Sequence, residues 1–323
     1  MKRYTLSRLS RSQSQHDNNY SLQPFAYTDD PTIAWELLRS RQQVKPATTV
    51  EPYSPIRDEF VRVVCLSCTH GKHRAVNVPD GDILLVAGDF TTCGHPREVL
   101  DFNRFIGTLP HRYKVVIAGN HELTFDPALY TNDYDVRCLF KSANTWRCKR
   151  QRADPQKQAL RATIARVLEE ECIDDIRDLL SNCIYLEDSM IELYGVKIYG
   201  TPWQPAFDNW AFNIPRGQPC LDKWNSIPVR VDVLLTHTPP IGHGDLTRNG
   251  VRNGCVELLT SIRKRIHPKY HVFGHIHEGY GTTTDGYTKF VNCSVCDCHM
   301  RPVNVPICFD LPLAHGMSKS KST

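Results

Sequence analysis

Residues 82–89 read Asp82-Ile83-Leu84-Leu85-Val86-Ala87-Gly88-Asp89, a short apolar run closed by a glycine and an acid. The same order recurs in Tyr113-Lys114-Val115-Val116-Ile117-Ala118-Gly119-Asn120. Both runs have the length and the branched apolar residues of buried strands. Between them, Pro96 to Leu109 carries apolar residues at helical spacing, with a proline suited to the first turn. A strand, a helix and another strand in this order predict a parallel, layered α/β arrangement.

Further elements are predicted on both sides of this unit. Longer apolar runs predict buried strands at Arg62 to Ser67, Val231 to Thr236 and Tyr270 to Phe273. Shorter strands are predicted at Ile184 to Leu186, Ile191 to Leu193 and Val196 to Tyr199. Tyr194-Gly195 and Asp285-Gly286 are typical of hairpin turns. Predicted helices cover Pro31 to Arg41, Pro155 to Leu180 and Val256 to Ile266.

These elements place one domain at residues 59–312. Residues 1–58 are predicted to be a disordered or partly ordered extension, and residues 313–323 a disordered tail. The stretch from Met1 to Gln15 is rich in Arg and Ser and contains no acidic residue, so it also resembles a mitochondrial transit peptide. No apolar run is long enough to span a bilayer or to act as a secretory signal. We therefore expect a cytoplasmic protein without membrane contact, with a mitochondrial location as the alternative.

The bulk composition limits the class of protein and its partners. With 41% hydrophobic and 23% charged residues, an ordinary globular protein is expected. A net charge of +4 without a long basic stripe gives no indication of nucleic-acid binding through charge. The oligomeric state is left undetermined by the sequence.

Thirteen cysteines in a chain without an export signal are predicted to be reduced thiols. Cys65 and Cys68 have the spacing of a redox pair, but they end a strand instead of opening a helix. We therefore favour a core thiol for Cys65 and a separate role for Cys68 over a redox pair. Cys293, Cys296, Cys298 and His299 could hold zinc, but no second cysteine pair stands at finger spacing, so buried strand thiols are favoured.

Polar residues stand where the predicted strands end. In chain order they are Cys68-Thr69-His70, Gly88-Asp89, Gly119-Asn120-His121-Glu122, His237 and Gly274-His275-Ile276-His277. In open α/β sheets the ligand crevice lies at the carboxyl ends of the strands, and glycine lets the backbone approach closely. Any one of these motifs is a weak signal, but all five in this order predict a single site.

The residue types at this site favour a pair of metal ions. Imidazole, carboxylate and amide oxygen together suit Mn, Fe, Zn or a similar divalent ion. Two such ions roughly 3.5–4 Å apart can bridge a hydroxide and hold a phosphoryl group from both sides. One carboxylate must then bridge the ions, and Asp89 is the candidate.

This pattern resembles the calcineurin-like metallophosphoesterase superfamily over almost all of Val61 to Pro312. Four segments resemble the metallophosphoesterase domain-containing subgroup of animals, namely Ala118–Asp126, Tyr199–Trp203, Asn213–Gly217 and Phe273–Gly281. That subgroup is similar to class III cyclic-nucleotide phosphodiesterases. The resemblance implies an α/β fold in the form of a four-layer α/β/β/α sandwich. It also implies metal-dependent hydrolysis of phosphodiesters, with cyclic nucleotides as candidate substrates.

The resemblance also implies roles for individual residues. The first metal would be held by Cys68, His70, Asp89 and His277, and the second by Asp89, Asn120, His237 and His275. A hydroxide bridging the ions would be the nucleophile. His121 binds no metal in this family and would protonate the departing alkoxide. Glu122 or an aspartate would orient its ring.

Cys68 is the departure from the family pattern, because such sites usually begin Asp-x-His. In one interpretation Cys68 is a thiolate ligand that keeps the negative charge and favours Zn or Fe. In a second, the first metal site is weakened and the protein binds nucleotides with low or no turnover. In a third, Cys68 is a redox switch, which requires an exposed thiolate of low pKa. The sequence leaves the three open, and we favour the first over the second.

The expected partner is a small-molecule phosphodiester or nucleotide. Trp203, Trp210 and Phe212 could stack on a base, and Arg216 could meet the phosphate. Aromatic residues between strands more often belong to the core, so Trp203 and Arg216 are only candidate substrate-binding residues.

Overall fold

Two β-sheets dominate the computed structural model, which describes residues 22–126, 128, 155–314 and 316–319. In chain order the strands are β1 (Lys45–Pro46), β2 (Phe60–Leu66), β3 (Ile83–Ala87), β4 (Tyr113–Ile117), β5 (Ile184–Tyr185), β6 (Ser189–Leu193), β7 (Val196–Thr201), β8 (Gln204–Pro205), β9 (Asn213–Ile214), β10 (Val233–Thr236), β11 (Tyr270–Phe273), β12 (Gly281–Thr284), β13 (Lys289–Asn292) and β14 (Ile307–Pro312).

The first sheet has five strands in the order β14-β2-β3-β4-β5. Only β14 runs antiparallel to its neighbour, so β2 to β5 form the predicted parallel unit. The second sheet has seven strands in the order β1-β12-β13-β11-β10-β7-β6, with parallel pairing from β13 to β7. Strands β8 and β9 pair separately as a short two-stranded ribbon.

Helices cover the outer face of each sheet. They are α1 (Pro31–Leu38), α2 (Pro96–Thr108), α3 (Pro155–Glu171), α4 (Gln218–Asn225) and α5 (Val256–Ser261), and α5 continues as a π-helical turn over Ile262–Ile266. The start of α2 shows why the sequence folds this way. His95 accepts a hydrogen bond from the backbone of Arg97, and Glu98 bonds back to His95, so the free amides of the first turn are satisfied.

The hydrophobic core lies in three layers. Between the sheets, Val63, Ile83 and Val115 of the first sheet belong to the same buried cluster as Val233 and Val272 of the second. Strand positions alternate between faces, so the intervening residues point outward to the helices. Each fully buried aliphatic side chain of this kind contributes about 1.5–3 kcal/mol to folding.

The other two layers join the sheets to their helices. Leu84 of the first sheet packs with Phe102 of α2. Leu234 of the second sheet packs with Trp224 of α4 and Leu258 of α5. The order helix, sheet, sheet, helix confirms the predicted four-layer α/β/β/α sandwich.

Part of the predicted N-terminal extension is ordered. Strand β1 pairs with β12, and Trp35 of α1 packs on Gly242. A Cβ added to Gly242 would lie 2.0 Å from the indole, so only glycine permits this contact. The division into residues 1–58, 59–312 and 313–323 stays a prediction. The stretch from Met1 to Gln15 lies outside the described residues, as do residue 315 and residues 320–323 of the predicted tail.

Two predicted helices run past the ends of the observed ones. Helix α1 stops at Leu38, and a 3₁₀ turn covers Arg39–Arg41. The helix expected from Pro155 to Leu180 stops at Glu171, and a separate 3₁₀ turn covers Ile176–Leu179. Over the described part of the chain, no helix is long and apolar enough to cross a membrane.

The described cysteines are free thiols; six of those outside the strand-end site are buried, and Cys172 is exposed. Cys65 and Cys293 lie in the core between the sheets with no exposed surface. In the described residues, none of the side-chain groups close enough to share a metal includes Cys293, Cys296, Cys298 or His299. This agrees with the favoured interpretation of that segment as buried thiols.

His243 makes the stability of the fold depend on pH. The ring is 1% exposed, stacks on Phe290 with centroids 3.8 Å apart, and shares a hydrogen bond of 2.8 Å with Thr283. Burial lowers the pKa of His243 to about 4, against 6.5 when exposed. The unfolded chain therefore binds the proton first as pH falls, and stability is lost between pH 6.5 and pH 4.

We expect His243→Gln to reduce the loss of unfolding free energy between pH 7 and pH 5 by about 2 kcal/mol.

Urea unfolding at both pH values, in the presence of a chelator, measures this difference. The matched control is His299→Gln, because His299 is an exposed histidine and its removal should leave the pH dependence of the parent unchanged. The same pH dependence in the parent and in His243→Gln would contradict the assignment.

Candidate metal centre

The predicted strand-end residues meet at one place. They follow β2, β3 and β4 of the first sheet and β10 and β11 of the second. Four of them have left-handed backbone, with φ of 55° at Cys68, 43° at His70, 55° at Asp89 and 68° at His275. This region is costly for residues other than glycine and is concentrated at functional sites. The strained exits turn the side chains of separate strands toward one another.

The first group of side chains surrounds Asp89 and Asn120. The Nε2 atom of His237 lies 3.2 Å from Asp89 Oδ2 and 2.9 Å from Asn120 Oδ1. The Nδ1 atom of His275 lies 2.9 Å from the same Asn120 oxygen. Asp89, His237 and His275 are close enough to share one metal ion.

The second group contains Cys68, His70 and His277. The Nε2 atoms of His70 and His277 are 3.1 Å apart, and His70 Nε2 lies 4.0 Å from Asp89 Oδ2. These three residues also satisfy the geometry for sharing a metal ion. Asp89 therefore lies between the two groups.

The hydrogen bonds behind the rings leave lone pairs facing inward. His237 Nδ1 donates to the carbonyl of Ala87 at 2.7 Å, and His277 Nδ1 donates to the carbonyl of Asp297 at 2.9 Å. Since a carbonyl cannot donate, these contacts fix the hydrogen on Nδ1 and leave Nε2 as the inward atom.

Protonation of the rings is consistent with a cation site. Burial lowers the pKa of His70 and of His275 to about 3, so both rings are neutral. Burial acts in the same direction on His237, but the charge and hydrogen bond of Asp89 outweigh it and raise the pKa of His237 to about 9. The neutral rings of His70 and His275, the Asp89 carboxylate and the Asn120 amide oxygen thus converge, with His237, on a region that favours positive charge. This donor set fits divalent metal ions.

Cys68 is enclosed on all sides. Its side chain has no exposed surface, and Sγ accepts a hydrogen bond from the His275 amide at 3.1 Å. The hydroxyls of Ser67 and Ser294 lie 3.3 Å and 3.5 Å from the sulfur. Burial, and then the charge of Asp89, raises the pKa of Cys68. The redox-switch interpretation requires an exposed thiolate, and this sulfur has no exposed surface.

Glu122 has a different place from the one expected. Its buried carboxylate accepts hydrogen bonds from the amides of Asp89, Thr91 and Gly119 and from the Thr91 hydroxyl, at distances of 2.6–2.9 Å. It therefore does not orient the ring of His121. The sequence carried a usable signal for this role, because a glutamate directly after a strand-end loop can bond several free amides at once.

Gly119 shows how tightly these loops are packed. A Cβ added there would lie 2.4 Å from Asp89 Oδ1 and 2.7 Å from His237 Cε1. Any side chain at residue 119 would displace the two groups that face Asn120.

His121 borders the metal groups without being enclosed by them. Its amide donates to Asp89 Oδ1 at 2.9 Å, and its Nδ1 donates to the carbonyl of Thr92 at 2.7 Å. The ring stacks on Trp210 with centroids 4.2 Å apart and meets the edge of His70 at 4.5 Å. Trp210, a candidate for base stacking, is instead a support for the His121 ring.

Trp203 and Arg216 are engaged elsewhere. Trp203 Nε1 donates to Asp188 at 3.0 Å, and the Lys223 ammonium lies 4.2 Å from the ring. The Arg216 guanidinium donates to the carbonyls of Asn253 and Gly254 at 3.0 Å and 2.9 Å. Within the described ranges, no recorded hydrogen bond, ion pair or ring contact joins either residue to the metal groups. Their substrate role stays a prediction.

Phe207 is a neighbour of the site that the sequence did not indicate. Its ring is 49% exposed and meets the ring of His275 edge to face, with centroids 6.1 Å apart. No local pattern distinguishes this phenylalanine from the other aromatic residues around it.

Known proteins resemble this chain over most of its length. Residues 61–279 match the family model described as calcineurin-like phosphoesterase. The UPF0046 protein T07D4.2 of Caenorhabditis elegans is 52% identical over 290 residues, which cover 89% of this chain and 69% of that protein. Metallophosphoesterase domain-containing protein 1 of Homo sapiens is 43% identical over 295 residues, which cover 88% of this chain and 83% of that protein.

The family match contains all five strand-end motifs and ends at residue 279, just after His277. Strands β12 and β13 of the second sheet lie beyond it. The relatives extend the similarity to nearly nine-tenths of the chain. The chain therefore belongs to the calcineurin-like phosphoesterase family, a family of metal-dependent hydrolases that act on phosphoric esters.

Proposed function

We propose that this protein is a metal-dependent phosphodiesterase, with cyclic nucleotides among its candidate substrates. The position of Asp89 carries the proposal. Its Oδ2 atom lies 3.2 Å from His237 on one side and 4.0 Å from His70 on the other, so one carboxylate can serve two adjacent cations. A dinuclear centre is suited to holding a phosphoryl group from both sides.

The residues fit two ions as follows. The first would be held by Cys68, His70, Asp89 and His277, and the second by Asp89, Asn120, His237 and His275. When bound, the ions would supply Lewis acidity, which activates water and neutralises charge on the phosphoryl oxygens. The hydrogen bonds of His237 and His277 to backbone carbonyls keep both rings in the orientation that ligation needs.

His121 is the proposed general acid. Its Nδ1 atom is committed to the carbonyl of Thr92, so a transferable proton would be held at Nε2. Trp210 stacks on one side of the ring and restricts its rotation. A positioned imidazole can then deliver that proton to the departing oxygen.

A second candidate function is nucleotide binding with low or no turnover. It is favoured by the enclosure of Cys68, whose sulfur has no exposed surface and already lies within hydrogen-bonding distance of the His275 amide and two serine hydroxyls. A neutral thiol is a poor metal ligand, so a first site that fails to deprotonate Cys68 would be weak.

The metal content of Cys68 variants separates these two functions. If Cys68 is a thiolate ligand, protein purified without added metal should contain about two zinc or iron ions per chain. Cys68→Ser should then lose about one of them, because a serine hydroxyl is a weaker ligand than a thiolate. Cys68→Asp should keep two sites and shift their preference toward manganese. Elemental analysis of the three proteins measures this.

Cys183→Ser is the matched control, since Cys183 is a partly buried thiol outside the metal groups. A single ion in the parent that rises to two in Cys68→Asp would favour the second candidate. Hydrolysis of cyclic nucleotides and of an aryl phosphodiester should be compared with Asn120→Ala. Turnover no higher than in that variant, with Mn, Fe and Zn each supplied, would refute the phosphodiesterase.

The role of His121 predicts a dependence on the leaving group. His121→Gln should lower kcat by about 100-fold or more for a substrate that leaves as an alkoxide, because that oxygen needs a proton. The loss should be much smaller for a substrate that releases 4-nitrophenolate, which leaves without protonation. Steady-state kinetics with the two substrates provide the test.

Trp210→Leu should follow the same pattern with a smaller loss, about tenfold in kcat, because it loosens the ring without removing it. Trp210→Phe preserves a stacking partner and should restore most of the rate. Equal losses on both substrates in His121→Gln would argue against proton transfer by this residue.

A further inference from the structure

A short segment beside the metal centre carries four aromatic residues. They lie between β7 and the end of β9 and are Trp203, Phe207, Trp210 and Phe212. The ribbon of β8 and β9 holds the two ends of this segment together. The inner part of the segment is also tied to the Asn120 loop, because the amide of Ala211 donates to the carbonyl of Asn120 at 3.1 Å.

Three of the four rings already have partners inside the protein. Trp203 bonds to Asp188 and lies beside Lys223. Phe212 is 1% exposed and belongs to the core beneath the first sheet. Trp210 stacks on His121. Phe212 has no accessible face, and Trp203 and Trp210 are partly buried with these partners.

Phe207 differs from the other three. It is 49% exposed, and its recorded ring contact is with His275, one of the proposed metal ligands. The planes of the two rings form an angle of 80°, so the Phe207 ring is nearly perpendicular to the His275 ring. A half-exposed apolar ring directly beside polar, metal-binding side chains is placed to contact an apolar part of a ligand bound there.

The backbone of Phe207 is fixed in this position. Its amide donates to Asn213 Oδ1 at 3.2 Å, and its carbonyl accepts from Asn213 Nδ2 at 3.2 Å. The same Asn213 oxygen accepts from the buried Gln204 at 3.0 Å. Pre-formed backbone of this kind lowers the conformational entropy lost when a ring stacks on Phe207.

We propose that Phe207 is the platform for a planar ring on the substrate, so that the preferred substrate is a phosphodiester bearing a nucleobase or another aromatic group. This inference rests on the proposed function, which places the phosphoryl group on ions held by Asp89, Asn120 and His275. Stacking on a protein aromatic ring tolerates every base, since each has a flat face. The platform thus selects for aromatic character and not for one particular base.

Two measurements test the platform. The first is calorimetric binding of adenosine 5′-monophosphate and of ribose 5-phosphate to the zinc-loaded protein. The second compares kcat/KM for 4-nitrophenyl phenyl phosphate and 4-nitrophenyl methyl phosphate, which release the same group and differ only in the arm that remains. The binding measurement does not require turnover, so it stands even for an inactive protein.

Phe207→Leu keeps an apolar side chain but removes the ring. We expect it to weaken binding of adenosine 5′-monophosphate about tenfold and to leave ribose 5-phosphate unchanged. The preference for the phenyl over the methyl diester should also fall about tenfold. Phe207→Trp should restore both. Tyr287→Leu is the control, because Tyr287 is an exposed aromatic residue on the hairpin between β12 and β13.

Equal loss for both ligands in Phe207→Leu would overturn the platform, because it would mean that Phe207 only positions His275. The same conclusion follows if the parent binds ribose 5-phosphate as tightly as adenosine 5′-monophosphate, or binds neither. Ring-dependent binding without hydrolysis of either diester would sustain the platform and refute the phosphodiesterase. Hydrolysis that is insensitive to Phe207 would do the reverse.

Discussion

The buried carboxylate of Glu122 is the interaction on which the metal centre depends. It accepts hydrogen bonds from the backbone of Asp89 and Thr91 after β3 and of Gly119 after β4, and so joins two of the five ligand-bearing loops. Burial, and then the charge of Asp89, raises the pKa of Glu122 to about 7. The hydrogen bonds from Gly119 and Thr91 act in the opposite direction and favour the charged carboxylate, which in turn holds these donors in place. The side chains that follow strands of the second sheet therefore face two loops whose relative position is fixed.

Cys68 is the one sulfur donor in the described side-chain groups that could hold a metal ion. The sulfur contacts the amide of His275 and the hydroxyls of Ser67 and Ser294, so it lies where loops from both sheets meet. The amide and the two hydroxyls can hydrogen-bond to a sulfur atom, so these contacts do not require a carboxylate at this position. If Cys68 ligates a metal ion, as proposed, it offers a softer donor than the imidazole and carboxylate groups around Asp89.

The rings of the aromatic segment between β7 and β9 have different roles. Trp203 and Phe212 pack the segment onto the sheets, Trp210 supports His121, and Phe207 remains available beside His275. The segment and the Asn120 loop are hydrogen-bonded, so the proposed proton donor and the proposed ring platform share one rigid support. Reactivity and substrate choice would therefore be set by neighbouring parts of the same structure.

The sequence by itself determined the layered fold and which polar residues gather at the edge of the sheets. Apolar runs such as Ile83–Ala87 bury both faces of a strand, and a polar residue directly after each run must lie at the sheet edge, so Asp89 and Asn120 were predictable. Only the tertiary structure decided what each flanking residue does. Glu122 bonds backbone amides, and Trp203 and Trp210 find partners far away in the chain. Such contacts join residues whose sequence separation leaves no periodic pattern, and burial and direction are properties of the packed chain.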